Sequence, residues 1–246
     1  MSYPNFKDKH LQEALFHPED FINYKKWKKK GLPNKYIITY QEKAKKYFLN
    51  KYEPKRIKMY KLLDIYVHKK IGFVKMTGVG APNAGAVFEE LIALGGKEFL
   101  NIGTAGGLNH EGVFLCRRAL RDEGTSYHYV KNGKFAYPDG KLTKKFGKFL
   151  ENNAVKYFTG DTWTIDAPYR ETRAEVEHYS KKGISTVEME ASALFSIAKY
   201  RKVKIASAFI VSDLLGKKWT PKFHRFDVRK MQNKLIDIGI NCLIAK

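Results

Sequence analysis

The chain has 246 residues, 43% hydrophobic and 14% aromatic, with 46 basic against 25 acidic side chains and a net charge of +21. That length can bury one substantial core, and that apolar content excludes a largely disordered protein. No apolar run approaches a membrane span and no secretory h-region opens the sequence; Cys116 and Cys242 stand far apart and suggest neither a disulfide framework nor a metal site, so a cytoplasmic protein without metal is expected.

Residues 1–33 read as a polar N-terminal helical extension ending at Gly31-Leu32-Pro33, and 34–246 as one α/β domain. Strands are predicted at Tyr36–Thr39, Leu62–Val67, Ile71–Met76, Phe99–Ile102, Val113–Ala119, Val155–Thr159, Thr186–Glu188 and Ile205–Val211. Helices are predicted at Ala84–Leu94, Leu142–Asn152, Arg170–Lys181, Ala191–Tyr200 and Phe226–Ile244. The last carries Met231, Leu235, Ile238 and Cys242 at helical spacing, a core stripe. Tyr127–Gly140 reads as a loop or hairpin over the pocket.

Four segments carry chemistry. Thr77-Gly78-Val79-Gly80-Ala81-Pro82-Asn83 leaves a strand and enters a helix, where glycines let the backbone approach an anion and free N–H groups favour phosphate. It is neither a P-loop nor a dinucleotide fingerprint, since the Gly-Lys-Ser/Thr and the third glycine are missing. Asn101-Ile102-Gly103-Thr104-Ala105-Gly106-Gly107 reads as a second glycine-rich turn, and two such turns on neighbouring strands would line one crevice. In Val187-Glu188-Met189-Glu190-Ala191, Glu190 opens an apolar helix, where a carboxylate can accept bonds from two adjacent hydroxyls. Asp213 ends an apolar strand, where desolvation favours a carboxyl that holds or shares a proton for a leaving group. Taken singly, each acid would also serve as a helix or turn cap.

Together, over roughly residues 70–215, these segments resemble the nucleoside phosphorylase family, which includes purine nucleoside phosphorylases, uridine phosphorylases and nucleosidases. The resemblance implies a single α/β domain with a central twisted mixed β-sheet flanked by helices. It implies that Glu190 holds the ribose diol, that Met189 packs on the sugar, and that His17 reaches the 5′-hydroxyl across a subunit contact. Trp163 would stack on the base, with Ala105, Gly106, Glu188 and Arg170 around it, and Asp213 would protonate N7 of a departing purine. Gly80, Thr104 and Arg56, the last from a neighbouring subunit, would bind phosphate. A homo-oligomer, a dimer or a trimer of dimers, follows from those borrowed residues, with a nucleoside and phosphate as substrates and no cofactor.

The departures are as specific as the matches. The family's N-terminal Gly-Asp-Pro-x-x-Arg phosphate loop is replaced by Tyr40-Gln41-Glu42-Lys43-Ala44-Lys45, and its phosphate-gripping arginine by Asn101. Lysine does not replace arginine at a bidentate oxyanion site. Three activities stay open: a phosphorylase with a rearranged anion site, a hydrolase using water, and a nucleoside-binding relative without turnover. Asp213 favours purines; against it, Arg170 stands where uridine phosphorylases carry an arginine, although Pro168 fills their glutamine slot. Lysines spread along the whole chain read as solvated faces and a phosphate-attracting field, which ranks nucleic-acid binding as a rival without a supporting motif.

Overall fold

The computed structural model describes residues 3–216 and 218–245. Its strands are β1 (Lys35–Thr39), β2 (Lys55–Tyr60), β3 (Leu63–His68), β4 (Ile71–Lys75), β5 (Glu98–Gly107), β6 (Val113–Asp122), β7 (Phe135–Ala136), β8 (Tyr157–Ile165), β9 (Ile184–Glu188), β10 (Lys204–Leu215) and β11 (Trp219–Pro221). Its α-helices are α1 (Pro18–Tyr24), α2 (Glu42–Tyr52), α3 (Ala81–Ala93), α4 (Gly140–Asn152), α5 (Arg173–Lys181), α6 (Ala191–Arg201) and α7 (Phe226–Ile244).

The strands form one mixed sheet in the order β11-β10-β6-β8-β9-β5-β1-β4-β3-β2, with β7 on β6. A further β10–β5 pairing closes β10, β6, β8, β9 and β5 into a ring. This is the α/β class expected from the alternation of strands and helices. Parallel strands covered on both faces need near-continuous apolar sequence, and β1 and β10 have it, with Tyr36 to Thr39 and Ile205 to Asp213 buried throughout.

Helices cover the sheet on two sides. One core joins α3 and α6 to the sheet through Phe88, Leu91, Leu194 and Phe195; the other joins α2, α4 and α7 through Phe48, Phe146, Leu150 and Leu235. Helix α4 shows how the sequence dictates this. Leu142, Phe146 and Leu150 repeat every four residues on its buried face, and Asp139 caps it by accepting the Leu142 N–H (2.7 Å). Removing the fully buried Phe146 side chain would cost about 3–5 kcal/mol. In α7, Gly239 lets the helix settle on the sheet, since a Cβ there would lie 3.0 Å from Ile102 and 3.2 Å from Ile37.

Several boundaries differ from the sequence reading. The predicted strand at Phe99–Ile102 continues to Gly107, so the second glycine-rich turn is extended strand. Its glycines serve close packing: a Cβ at Gly106 would meet Leu215 at 2.3 Å. Strand β1 lies between β4 and β5, so the two glycine-rich segments do not follow neighbouring strands. Helix α2 and strand β2 were not anticipated, because only Ala44 and Phe48 of the lysine-rich α2 are buried and β2 is an open edge. Residues 127–140 hold part of a 3-10 turn and β7, and they border a cavity with Arg121 and Phe195 that is separate from the one at Asp213. At the N-terminus α1 buries Ile22, and Trp27 lies 5.3 Å from the Tyr60 ring.

Candidate active site

Strand register assembles the site. Gly106 of β5 faces Val187 of β9 on one side and Asp213 of β10 on the other. The Glu188-Met189-Glu190 segment and Asp213 therefore flank the same stretch of β5, and a bulge between Val211 and Asp213 re-aims the end of β10.

On the β9 side two buried glutamates divide the donors unequally. Glu188 accepts the Thr164 hydroxyl (2.6 Å) and the backbone N–H groups of Glu190 (2.9 Å) and Ala191 (2.7 Å). Glu190, at the start of α6, accepts the Gly80 N–H (2.6 Å). Burial raises the pKa of both, and for Glu190 the neighbouring Glu188 charge raises it further. Three donors partly offset the effect of burial on Glu188, whereas Glu190 has the Glu188 charge beside it.

On the β10 side Asp213 opens into a cavity of about 1110 Å³, walled by Leu108, Tyr169, Glu171, Leu215, Trp219 and Phe223 among others. The Trp219 indole N–H donates to Asp213 Oδ2 (2.9 Å), and the Ser212 hydroxyl lies 2.9 Å from Oδ1. Glu171 shares this cavity; burial, then the Asp213 charge and then Glu175, push its pKa up to about 7. The capping box between Thr172 and Glu175 starts α5 and leaves the Glu171 carboxyl outside the cap.

The third region lies where β1 ends. The Gln41 amide donates to Thr104 Oγ1 (3.0 Å), while Gln41 Oε1 accepts from Thr39 (3.2 Å) and from Gln232 of α7. The Tyr40 hydroxyl donates to Asn101 (3.0 Å), and Asn101 donates to Ser207 (3.1 Å). Burial first, then Glu190 and Glu188, raise the Tyr40 pKa well above its usual value, which fixes a neutral phenol beside the glutamates.

The expected residues are therefore divided. Glu190, Met189, Thr104 and Asp213 gather around β5, Met189 half-buried with its Cε 4.0 Å from a Cβ placed on Gly80. Others need correction. Trp163 is fully buried, with its N–H on Asp122 (2.8 Å) and its ring 4.8 Å from Tyr179, so it has no open face for a base; the cavity's aromatics are Trp219, Tyr169 and Phe223. Glu188 spends its oxygens on Thr164 and the backbone rather than on a base. The Gly80 N–H, expected to face phosphate, is held by Glu190. Ala105 and Gly106 are buried behind the cavity wall, and Arg170 is exposed on the 3-10 turn Pro168–Arg170. Arg56 pairs with Asp64 (2.6 Å) on the edge hairpin, and the His17 backbone N–H caps α1 through Asp20 (2.7 Å); within one chain neither joins the site. Sequence reasoning missed Glu171, Trp219, Tyr40 and Gln41. Of these, Glu171 carried a signal, since the Thr172-x-x-Glu175 box marks the helix start and leaves the preceding acid free. Among the described residues no group of three His, Cys, Asp or Glu side chains is arranged to hold a metal, and no helix is long and apolar enough to cross a membrane.

The sequence profile of the phosphorylase superfamily matches residues 40–243. The chain belongs to that superfamily. This superfamily member is 29% identical to a guanosine phosphorylase of Halorubrum lacusprofundi over 52% of its own length and 55% of that protein's. It is 26% identical to a DeoD-type purine nucleoside phosphorylase of Clostridium novyi, over 74% of its length and 81% of the other's. The chain spans about half the length of the first curated relatives it matches, between 51% and 58%. In fold it resembles the AMP nucleosidase of Bacteroides thetaiotaomicron, with a TM-score of 0.78 and 18% identity, covering 93% of this chain and 97% of that one.

Proposed function

We propose that the protein cleaves the N-glycosidic bond of purine nucleosides with inorganic phosphate, releasing the free base and ribose 1-phosphate. The observation that carries this is Asp213 on the wall of a cavity large enough for a base, with a second carboxyl, Glu171, and the Trp219 ring beside it. Glu190 accepts the two ribose hydroxyls and Met189 packs on the sugar. A phosphate oxygen attacks the anomeric carbon near Thr104, the bonding pair leaves with the base, and Asp213 delivers a proton to N7. Glu171 meets the far edge of the purine, where its carboxyl serves as acceptor, or as donor and acceptor when protonated. His17 and Arg56 serve a neighbouring copy in a homo-oligomer, a dimer or a trimer of dimers. No cofactor takes part, and the chemistry suits a cytoplasmic enzyme.

Hydrolysis is the second reading, and one observation favours it: Thr104 and Asn101 are occupied by the neutral Gln41 and Tyr40 side chains. The test is product analysis of inosine, guanosine, adenosine and uridine with and without phosphate. Ribose 1-phosphate formed only with phosphate supports the first reading. Free ribose in phosphate-free buffer establishes the second, and preferential cleavage of uridine overturns the purine assignment.

A further inference from the structure

A phosphate dianion attacking a sugar needs positive charge, and neither position where the family carries an arginine supplies it here. The C-terminal helix does. Gln232 on the inner face of α7 donates to Gln41, which in turn reaches Thr104, so this face of α7 overlooks the end of β1 where phosphate would sit. Arg229 lies three residues earlier, one turn nearer the helix start on the same side.

The surroundings of Arg229 are those of an unfinished site. Its Nε is buried without a partner, while Nη2 donates to the His224 carbonyl (2.9 Å). A buried N–H without an acceptor costs about 1–3 kcal/mol. The neighbouring acids do not answer it: Arg225 takes Asp227 (2.6 Å) and Glu111 (3.7 Å), and no ion pair joins Arg229 to a described carboxylate. It also stands in the first turn of a 19-residue helix, where the helix dipole already repels a cation and favours an anion. An oxyanion bound by Arg229 would satisfy the orphan N–H, the unpaired charge and the dipole together.

We propose that Arg229 is the cation of the phosphate subsite, supplied by α7 in place of the lost N-terminal loop. Thr104 and the Gln41 amide complete that subsite as neutral donors, the amide turning from Thr104 to the anion. The inference rests on the phosphorolytic reading, and the experiment separates the two.

Phosphate binding to the full-length protein is measured by calorimetry at constant ionic strength, for wild type, Arg229→Gln and Arg229→Lys. KM for phosphate and for the nucleoside are measured in parallel, and thermal melting confirms that each variant is folded. The expected result is a Kd and KM for phosphate raised about tenfold or more in Arg229→Gln, well beyond any change in nucleoside KM, with partial recovery in Arg229→Lys. Wild-type phosphate affinity retained in both variants overturns Arg229 and leaves phosphorolysis standing. Absence of phosphate binding in wild type, with free ribose as product, overturns both. Phosphate binding that depends on Arg229 in a protein that cleaves nothing supports Arg229 and overturns the catalytic reading.

Discussion

The protein carries two carboxyl pairs on either side of β5, and they are built on opposite principles. Glu188 and Glu190 are closed in: five of the ties that matter are fixed distances of 2.6–3.1 Å, from Thr164, Glu190 and Ala191 to Glu188, from Gly80 to Glu190, and from the Ser192 N–H to Thr164. Asp213 and Glu171 line a cavity, with Trp219 and Ser212 hydrogen-bonded to Asp213 and not to Glu171. Where backbone donors crowd one acid, the fold opposes the upward push of burial on that acid more than on its partner. Where an acid lines a cavity, as Glu171 does, a ligand can reach it directly. The first arrangement suits holding a sugar whose charge does not change at the hydroxyls, and the second suits a base that must leave neutral.

Substitutions on the two sides should therefore fail differently. If Asp213 feeds a proton to the base as proposed, Asp213→Asn should lower kcat for purine nucleosides about 10²–10⁴-fold, while nucleoside KM changes far less. Steady-state kinetics with inosine checks this, and an unchanged kcat would remove Asp213 from proton transfer. In the proposed site, Glu190→Ala takes away the acceptor of two sugar hydroxyls. Hydrogen bonds to a charged group contribute about 1.5–3 kcal/mol each, so losing two should lower nucleoside affinity about 10²- to 10⁴-fold, with 2′-deoxynucleosides losing less. Equal losses for ribo- and deoxynucleosides would mean that Glu190 does not touch the diol. Glu188→Gln should leave chemistry less affected than folding. An amide that cannot accept all three donors leaves buried groups unmatched, at about 1–3 kcal/mol, or a fall in melting temperature of about 2–10 °C for a chain of this size. A melting temperature within 1 °C of wild type by this same yardstick would show that the closed pair is less constrained than its hydrogen bonds imply.

The same contrast explains what could be read from the chain before its structure. Glu190 and Asp213 were legible as acids at the edge of apolar elements, and both are buried there, although the sequence alone also allowed each to be a cap. The glycine turn at Gly78 and Gly80 was legible as a turn, but which acceptor its N–H would meet was not, since Glu190 lies 110 residues away in sequence. Trp163 was misread because its position in a motif says nothing of which face of a strand it occupies; the structure turns it into a core with Leu120, Ile184 and Leu215. The Gln41–Gln232 contact spans 191 residues and involves two amides, the least distinctive of polar side chains. Fold class survived errors of several residues at strand ends because alternation of β and α depends on the pattern and not on its borders.

The smallest expected effect is also the sharpest discrimination between the pairs, because it follows Glu171 through its titration. Its folded pKa is raised, from 4.5 to about 7. Between those values the folded protein keeps a proton that the unfolded chain has lost, so stability from this group is greatest at low pH and declines as pH rises through that window. Burial, Asp213 and Glu175 cause the shift, with Arg173, Glu177 and Lys218 also on the cavity wall. The buried Glu188 and Glu190 shift in the same direction, so the melting temperature of the wild type alone cannot assign the slope. The difference between wild type and Glu171→Gln isolates it: wild type should lose melting temperature relative to the variant between pH 5 and 7.5, by about 1–3 °C. A saturating purine base should enlarge that difference if it meets Glu171 and leave it unchanged if it does not. Parallel curves with and without base would place Glu171 outside the contact with the base.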